Sequence, residues 1–119
     1  MQIGEYRLNS PDEIDTPAYL VYEDMVHHNI REVLRVCGSA EKVVPHVKTH
    51  KSAEVLKLQI AAGMNSYKCA TLREAELLAE HGVSEIIIAY PMAHPAKLKR
   101  LVTLLKLYPE IEFKAIASA

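Results

Sequence analysis

The chain has 119 residues, half of them hydrophobic and 24% charged, with a formal net charge of −1. This is the composition of a single globular domain able to bury a core, and Lys and Arg spread along the chain exclude the basic stripe of a nucleic-acid binder. No apolar run is long enough to span a bilayer, residues 1–5 lack a signal-peptide pattern, and Cys37 and Cys69 make neither a metal-ligand spacing nor a disulfide framework, so a cytoplasmic protein is expected.

Residues 1–15 are polar and turn-rich, punctuated by Asn9-Ser10-Pro11-Asp12, and read as an approach segment. Thr16-Pro17 leads into Ala18-Tyr19-Leu20-Val21-Tyr22, a run of β-formers that predicts a short strand. Asp24 suits a helix N-cap. Val26, Ile30, Val33, Leu34 and Cys37 follow at helical spacing until Gly38 offers the left-handed conformation of a C-terminal cap. A second unit has residues 42–46 as strand, Ser52 as N-cap, a helix over 53–62 and Gly63 closing it.

The third unit begins with a strand over 66–70. Thr71-Leu72-Arg73-Glu74 is then a capping box, in which the threonine hydroxyl serves a free N–H of the first turn and Glu74 reaches back. Leu72, Ala75, Leu78 and Ala79 face inward along that helix, and Gly82 ends it. In the fourth unit residues 85–90 form a continuous apolar run, as in a strand covered on both faces. Pro95 suits the first turn of the next helix, Leu98, Leu101, Val102 and Leu105 make its buried stripe, and Pro109 stops it. Residues 111–116 predict a fifth strand.

Such alternation argues a parallel sheet with crossover helices. Two architectures fit it: an open doubly wound sheet, or the first part of an eight-stranded β/α barrel, for which about 250 residues is typical. The halt on a strand favours a partial barrel over residues 16–119.

In either fold, ligands gather at the carboxyl ends of the strands, which singles out residues 46–51, 69–73 and 89–94. In Pro45-His46-Val47-Lys48-Thr49-His50-Lys51, a strand would place Val44, His46, Lys48 and His50 on one face. Crowding on such a face favours a neutral amine, the form a Schiff-base nucleophile needs. The alternative is a strand end whose basic residues run out into solvent. A two-histidine metal site at His46 and His50 is disfavoured, because Pro45 and the valines oppose a helix and no carboxylate or cysteine stands nearby. Thr71 reads as a helix cap, which is compatible with an anion at the same N-terminus. Tyr90 reads as a packed aromatic at a strand end, His27 and His28 as surface, His81 as a helix C-terminal residue and Cys69 as a small buried hydrophobe. Gly-x-Gly-x-x-Gly, Walker, Gly-x-Ser-x-Gly and Cys-x-x-Cys motifs are absent.

The heptapeptide around Lys48, together with residues 16–22, Ala70-Thr71-Leu72-Arg73-Glu74-Ala75-Glu76, Ile87-Ile88-Ala89-Tyr90-Pro91 and Pro95-Ala96-Lys97-Leu98, resembles the N-terminal part of D-threonine aldolases and D-serine dehydratases. These are fold-type III enzymes related to alanine racemase. The resemblance implies an α/β fold, the first part (about five β/α units) of an alanine-racemase-type TIM barrel, followed in the complete protein by a β-rich domain. It also implies pyridoxal 5′-phosphate as cofactor and Lys48 as the lysine of the internal aldimine, the catalytic residue. His46, Thr71 and Tyr90, one from each strand-end region, join Lys48 as candidate cofactor contacts. The expected activity is cleavage at the α-carbon of a D-amino acid, by aldol cleavage or dehydration, in a homo-oligomer, a dimer. A racemase of the same fold, or a non-catalytic cofactor carrier, is the alternative. The later strands, the phosphate-holding loops and the ligands of a divalent metal are expected outside this chain, so that the fragment alone is inactive.

Overall fold

The computed structural model describes residues 2–3 and 6–117. Two short strands, β1 (Gln2–Ile3) and β2 (Tyr6–Arg7), pair antiparallel where an approach segment was expected. Helix α1 spans Glu23–Cys37 and α2 spans Ala53–Ala61. Strand β3 (Ser66–Cys69), α3 (Leu72–Glu80), β4 (Glu85–Ile88), α4 (Pro95–Leu107) and β5 (Glu112–Ala115) complete the order.

The punctuation acts as the side chains dictate. Gly38 caps α1 at φ +81°, a conformation that would strain any residue with a Cβ. The Ser52 hydroxyl accepts the Val55 N–H at the start of α2, and the Thr71 hydroxyl accepts the Glu74 N–H, 3.2 Å away, at the start of α3. Helix α1 starts two residues earlier than the Asp24 cap predicted: Tyr22 holds the cap position, and Glu23 and Asp24 lie in the first turn, where their charges favour the dipole.

Strands β3, β4 and β5 form one parallel sheet in sequential order, with Tyr67 beside Ile86 and Ile86 beside Phe113. A doubly wound sheet reverses its strand order at a switch point. This sheet does not reverse, and sequential parallel neighbours are what a barrel winds from. Tyr67, Cys69, Ile86 and Ile88 are fully buried, in one cluster with Leu72, Ala75 and Leu78 of α3. Each large apolar side chain taken from water there contributes about 1.5–3 kcal/mol. The opposite face carries Lys68, Ile87 and Lys114 in one row and Ser66, Glu85 and Glu112 in the next; Lys114 pairs with Glu85 across it. Residues 85–90 are therefore fully buried only at alternate positions of the strand, Ile86 and Ile88, and not on both faces.

Two predicted strands do not form. Residues 18–22 run outside any ladder, with Tyr19 74% exposed. β-propensity without a neighbouring edge does not make a strand. In residues 42–46, Ala40–Lys42 winds as a 3-10 turn and Pro45 has no N–H to give a ladder. What survives is one parallel bridge, His46 to Lys68, with the Lys68 N–H donating to the Pro45 carbonyl at 2.8 Å. That bridge still sets the segment beside β3, extending the sequential order.

The stripe predicted on α4 is also displaced. Leu104 is buried and Leu101 half-buried, while Leu98, Val102 and Leu105 are exposed. Arg100 fixes that rotation, since its guanidinium grips Glu76 of α3 with two contacts of 2.6 Å. Among the described residues no helix is long and apolar enough to cross a membrane.

Candidate active site

Parallel strands bring their carboxyl ends to one rim, so residues 46–52, 70–71 and 89–94 emerge side by side there. The heptapeptide is not a strand. Val47–Thr49 is a 3-10 turn whose N-cap is His46, its Nδ1 accepting the Lys48 N–H at 3.3 Å. The Thr49 hydroxyl donates to the His46 carbonyl at 3.2 Å, and the Lys51 N–H donates to the Val47 carbonyl at 2.8 Å. Val47, fully buried, anchors the turn in the core. Lys48 is exposed, and its ammonium has no ion pair or hydrogen bond among the described residues. The face shared by His46, Lys48 and His50 therefore does not exist, because the turn breaks the two-residue alternation.

The two histidines part company. His50 lines a cavity of about 280 Å³ together with Ile30, Val55 and Gln59, a lining that includes neither His46 nor Lys48. Burial holds His50 below its ordinary value, and its Nδ1 accepts the Ser52 N–H at 3.1 Å. Burial also lowers His46, helped by the positive charges of Lys48, Lys68 and Lys51. An Nδ1 that accepts an amide proton leaves the ring proton on Nε2 in both.

The rim's charged centre is a pair that the motifs did not single out. Glu74, on the first turn of α3, is 3% exposed, the one buried charged side chain among the described residues. Its Oε2 accepts the Ala70 N–H at 2.7 Å, and its Oε1 pairs with the Lys51 ammonium. The capping box is thus half-formed: Thr71 caps as expected, but Glu74 reaches back one residue further, to Ala70. Burial pushes the Glu74 carboxyl up, yet the Ala70 N–H and Lys51 outweigh it and hold it below the usual carboxylate range. Lys51 makes the contact from a left-handed backbone, φ +49°, which costs about 1 kcal/mol or more for a residue with a Cβ. The only signal in the sequence was the coincidence of a basic heptapeptide with an acid in a capping box.

Thr71 and Tyr90 come together. With Arg73, Met92, Lys97 and Arg100 they line a cleft of about 230 Å³, and Thr71 and Arg73 also line an adjoining one with Lys51, Glu74 and Leu77. Tyr90 is 61% exposed rather than packed, because β4 ends at Ile88 and the chain turns outward. His46 and Lys48 stand on the neighbouring turn, outside both linings. Cys69 is fully buried, and burial followed by the Glu74 charge pushes its thiol up to about 12. Among the described residues no group of three His, Cys, Asp or Glu could hold a metal ion.

The family model of the alanine racemase N-terminal domain matches residues 21–114. D-threo-3-hydroxyaspartate dehydratase of Delftia sp. (strain HT23) is 37% identical over 92 residues, 76% of this chain and 24% of the relative. 3-hydroxy-D-aspartate aldolase of Paracoccus denitrificans is 33% identical over 98 residues, 79% of this chain and 25% of the relative. Among solved structures, D-threonine aldolase from Filomicrobium marinum has the same fold, with a TM-score of 0.73 at 23% identity, covering 89% of this chain and 28% of that one. The chain spans about a quarter of the length of the curated relatives it matches.

Proposed function

The chain belongs to the alanine racemase N-terminal domain family, and we propose that it supplies the first part of the barrel of a pyridoxal-phosphate enzyme that cleaves a bond at the α-carbon of D-3-hydroxy amino acids. The observation that carries this reading is Lys48: an exposed amine without a partner among the described residues, on a turn anchored by Val47 at the strand-end rim. An aldehyde cofactor with a phosphate asks for a free amine and for nearby cations. Lys48 offers the first, and Arg73 and Lys97 beside the N-terminus of α3 offer the second. The side chains present fit such a group.

In this reading Lys48 holds the cofactor through Nζ, and Thr71 and Tyr90 contact it from the adjoining cleft. His46 orients the lysine by capping its backbone N–H. Bound pyridoxal phosphate supplies an electron sink for the bond that breaks. Lys48 would move a proton at its own Nζ on one face of the α-carbon. The names of the two relatives support a hydroxylated D-amino acid with an aldolase or dehydratase outcome. Any divalent ion of the complete enzyme draws its ligands from outside the described residues. The free cysteines Cys37 and Cys69 suit a reducing compartment, and we place the enzyme in the cytoplasm, as a dimer in its complete form.

The test is incubation with pyridoxal phosphate, borohydride reduction and peptide mass spectrometry. A pyridoxyl adduct concentrated on Lys48 is expected. Labels shared evenly among the exposed lysines would return the turn to a solvated strand end.

A further inference from the structure

The heptapeptide holds two lysines three positions apart, yet the structure treats them oppositely. Lys51 donates to a buried carboxylate, while Lys48 has no ion pair or hydrogen bond among the described residues. We infer that Glu74 holds the Lys51 amine out of reaction and so leaves Lys48 as the amine of this turn that condenses with an aldehyde. This deepens the proposal for Lys48 and rests on it.

The geometry leaves Glu74 little else to do. Its carboxylate is buried, one oxygen is fixed by the Ala70 N–H at 2.7 Å, and the other faces Lys51. The Ala70 contact anchors the acid to the end of β3, so the acid cannot follow Lys51 if that side chain swings away. Lys51 in turn reaches Glu74 from a backbone angle that a side chain disfavours, φ +49°. Condensation needs the nitrogen lone pair: the neutral amine adds to the aldehyde carbon, a C=N bond replaces C=O, and the oxygen leaves as water with the two amine protons. An ammonium held by a fixed carboxylate must open that contact and lose a proton before its nitrogen has a lone pair to offer. Lys48 has its proton to lose but no such contact to open among the described residues. Glu74 is thus a positioning residue, acting on which lysine reacts rather than on the substrate.

The experiment is reductive methylation of the native chain with formaldehyde and cyanoborohydride, with rates at Lys48 and Lys51 read by mass spectrometry against exposed Lys42. For a pair whose lysine is partly exposed, Lys48 should outpace Lys51 by about fivefold, falling to about one in Glu74→Gln and recovering in part in Glu74→Asp. General loosening would raise all three lysines together and leave the ratio unchanged. Should Glu74→Gln fail to fold, native chain against chain in guanidinium gives the same comparison, the ratio collapsing on unfolding. Equal rates in the native chain, or an unchanged ratio in folded Glu74→Gln, would overturn the inference. A high ratio with formaldehyde beside pyridoxal phosphate labels on other lysines would overturn the role of Lys48 and leave the masking by Glu74 standing.

Discussion

Replacing Glu74 by alanine tests the architecture of the rim most directly. The carboxylate is 3% exposed and accepts the Ala70 N–H at 2.7 Å. A hydrogen bond to a charged acceptor contributes about 1.5–3 kcal/mol, and its loss leaves the donor unpaired. The Lys51 pair adds less, at most about 1 kcal/mol, because the lysine side chain is 60% exposed. Glu74→Ala should therefore destabilise the rim by about 2 kcal/mol, which raises amide exchange at Ala70 about thirtyfold after correction for intrinsic rate. The same pair has a pH signature. Glu74 is depressed below its ordinary value of 4.5, so its contribution is complete above that value and is lost as pH falls through the lower folded value. Ala70 protection should hold level from neutral pH to about 4.5 and then decline, and Glu74→Gln should remove that decline. Unchanged Ala70 exchange in Glu74→Ala, or an undiminished acid decline in Glu74→Gln, would refute the reasoning.

Val47→Ala removes two methylene-sized groups from a fully buried site, and the loss of about 2–3 kcal/mol should appear as a lower urea midpoint, an unchanged midpoint arguing that the turn is not anchored there. Native thiol titration with an aromatic disulfide should modify half-buried Cys37 and spare Cys69, whose thiol is pushed up to about 12; equal rates would contradict its burial. His46 and His50 should both titrate below 6.5 in ring-proton NMR. Both contribute stability above that value that is lost as pH falls through their folded values, because burial disfavours the charged ring. A midpoint at or above 6.5 for either would count against its burial.

Local chemistry was the part of the fold most legible in the sequence. Gly38, Ser52 and Thr71 cap the helices where their side chains, or the lack of one, demand it. Strands β3 and β4 declare themselves by apolar runs that meet a covered face. The segments at 18–22 and 42–46 have the same β-forming residues, but a strand is made by its neighbour, and one of them is stopped by Pro45 and left with a single bridge. Tyr90 was read as packed because it follows a buried strand; the strand ends two residues sooner and the ring faces out. Lys51 and Glu74 are 23 positions apart. No local pattern joins them, and only the sheet brings them together.

That separation explains why the heptapeptide alone is an incomplete description of the site. Within itself it makes a wound turn, tied by His46, Thr49 and Lys51 to its own backbone. Its orientation toward the rest of the rim comes from three outside attachments: Val47 in the core, the bridge from His46 to Lys68, and Lys51 on Glu74. Each is made to a different part of the third unit or the core behind it. The acid stands at the first turn of α3, where the helix dipole and the Ala70 N–H favour its charge, so burial does not neutralise it. A carboxylate kept ionised there can hold one lysine, and holding one distinguishes it from the other. The chemistry of the turn is thus set by the start of the next helix.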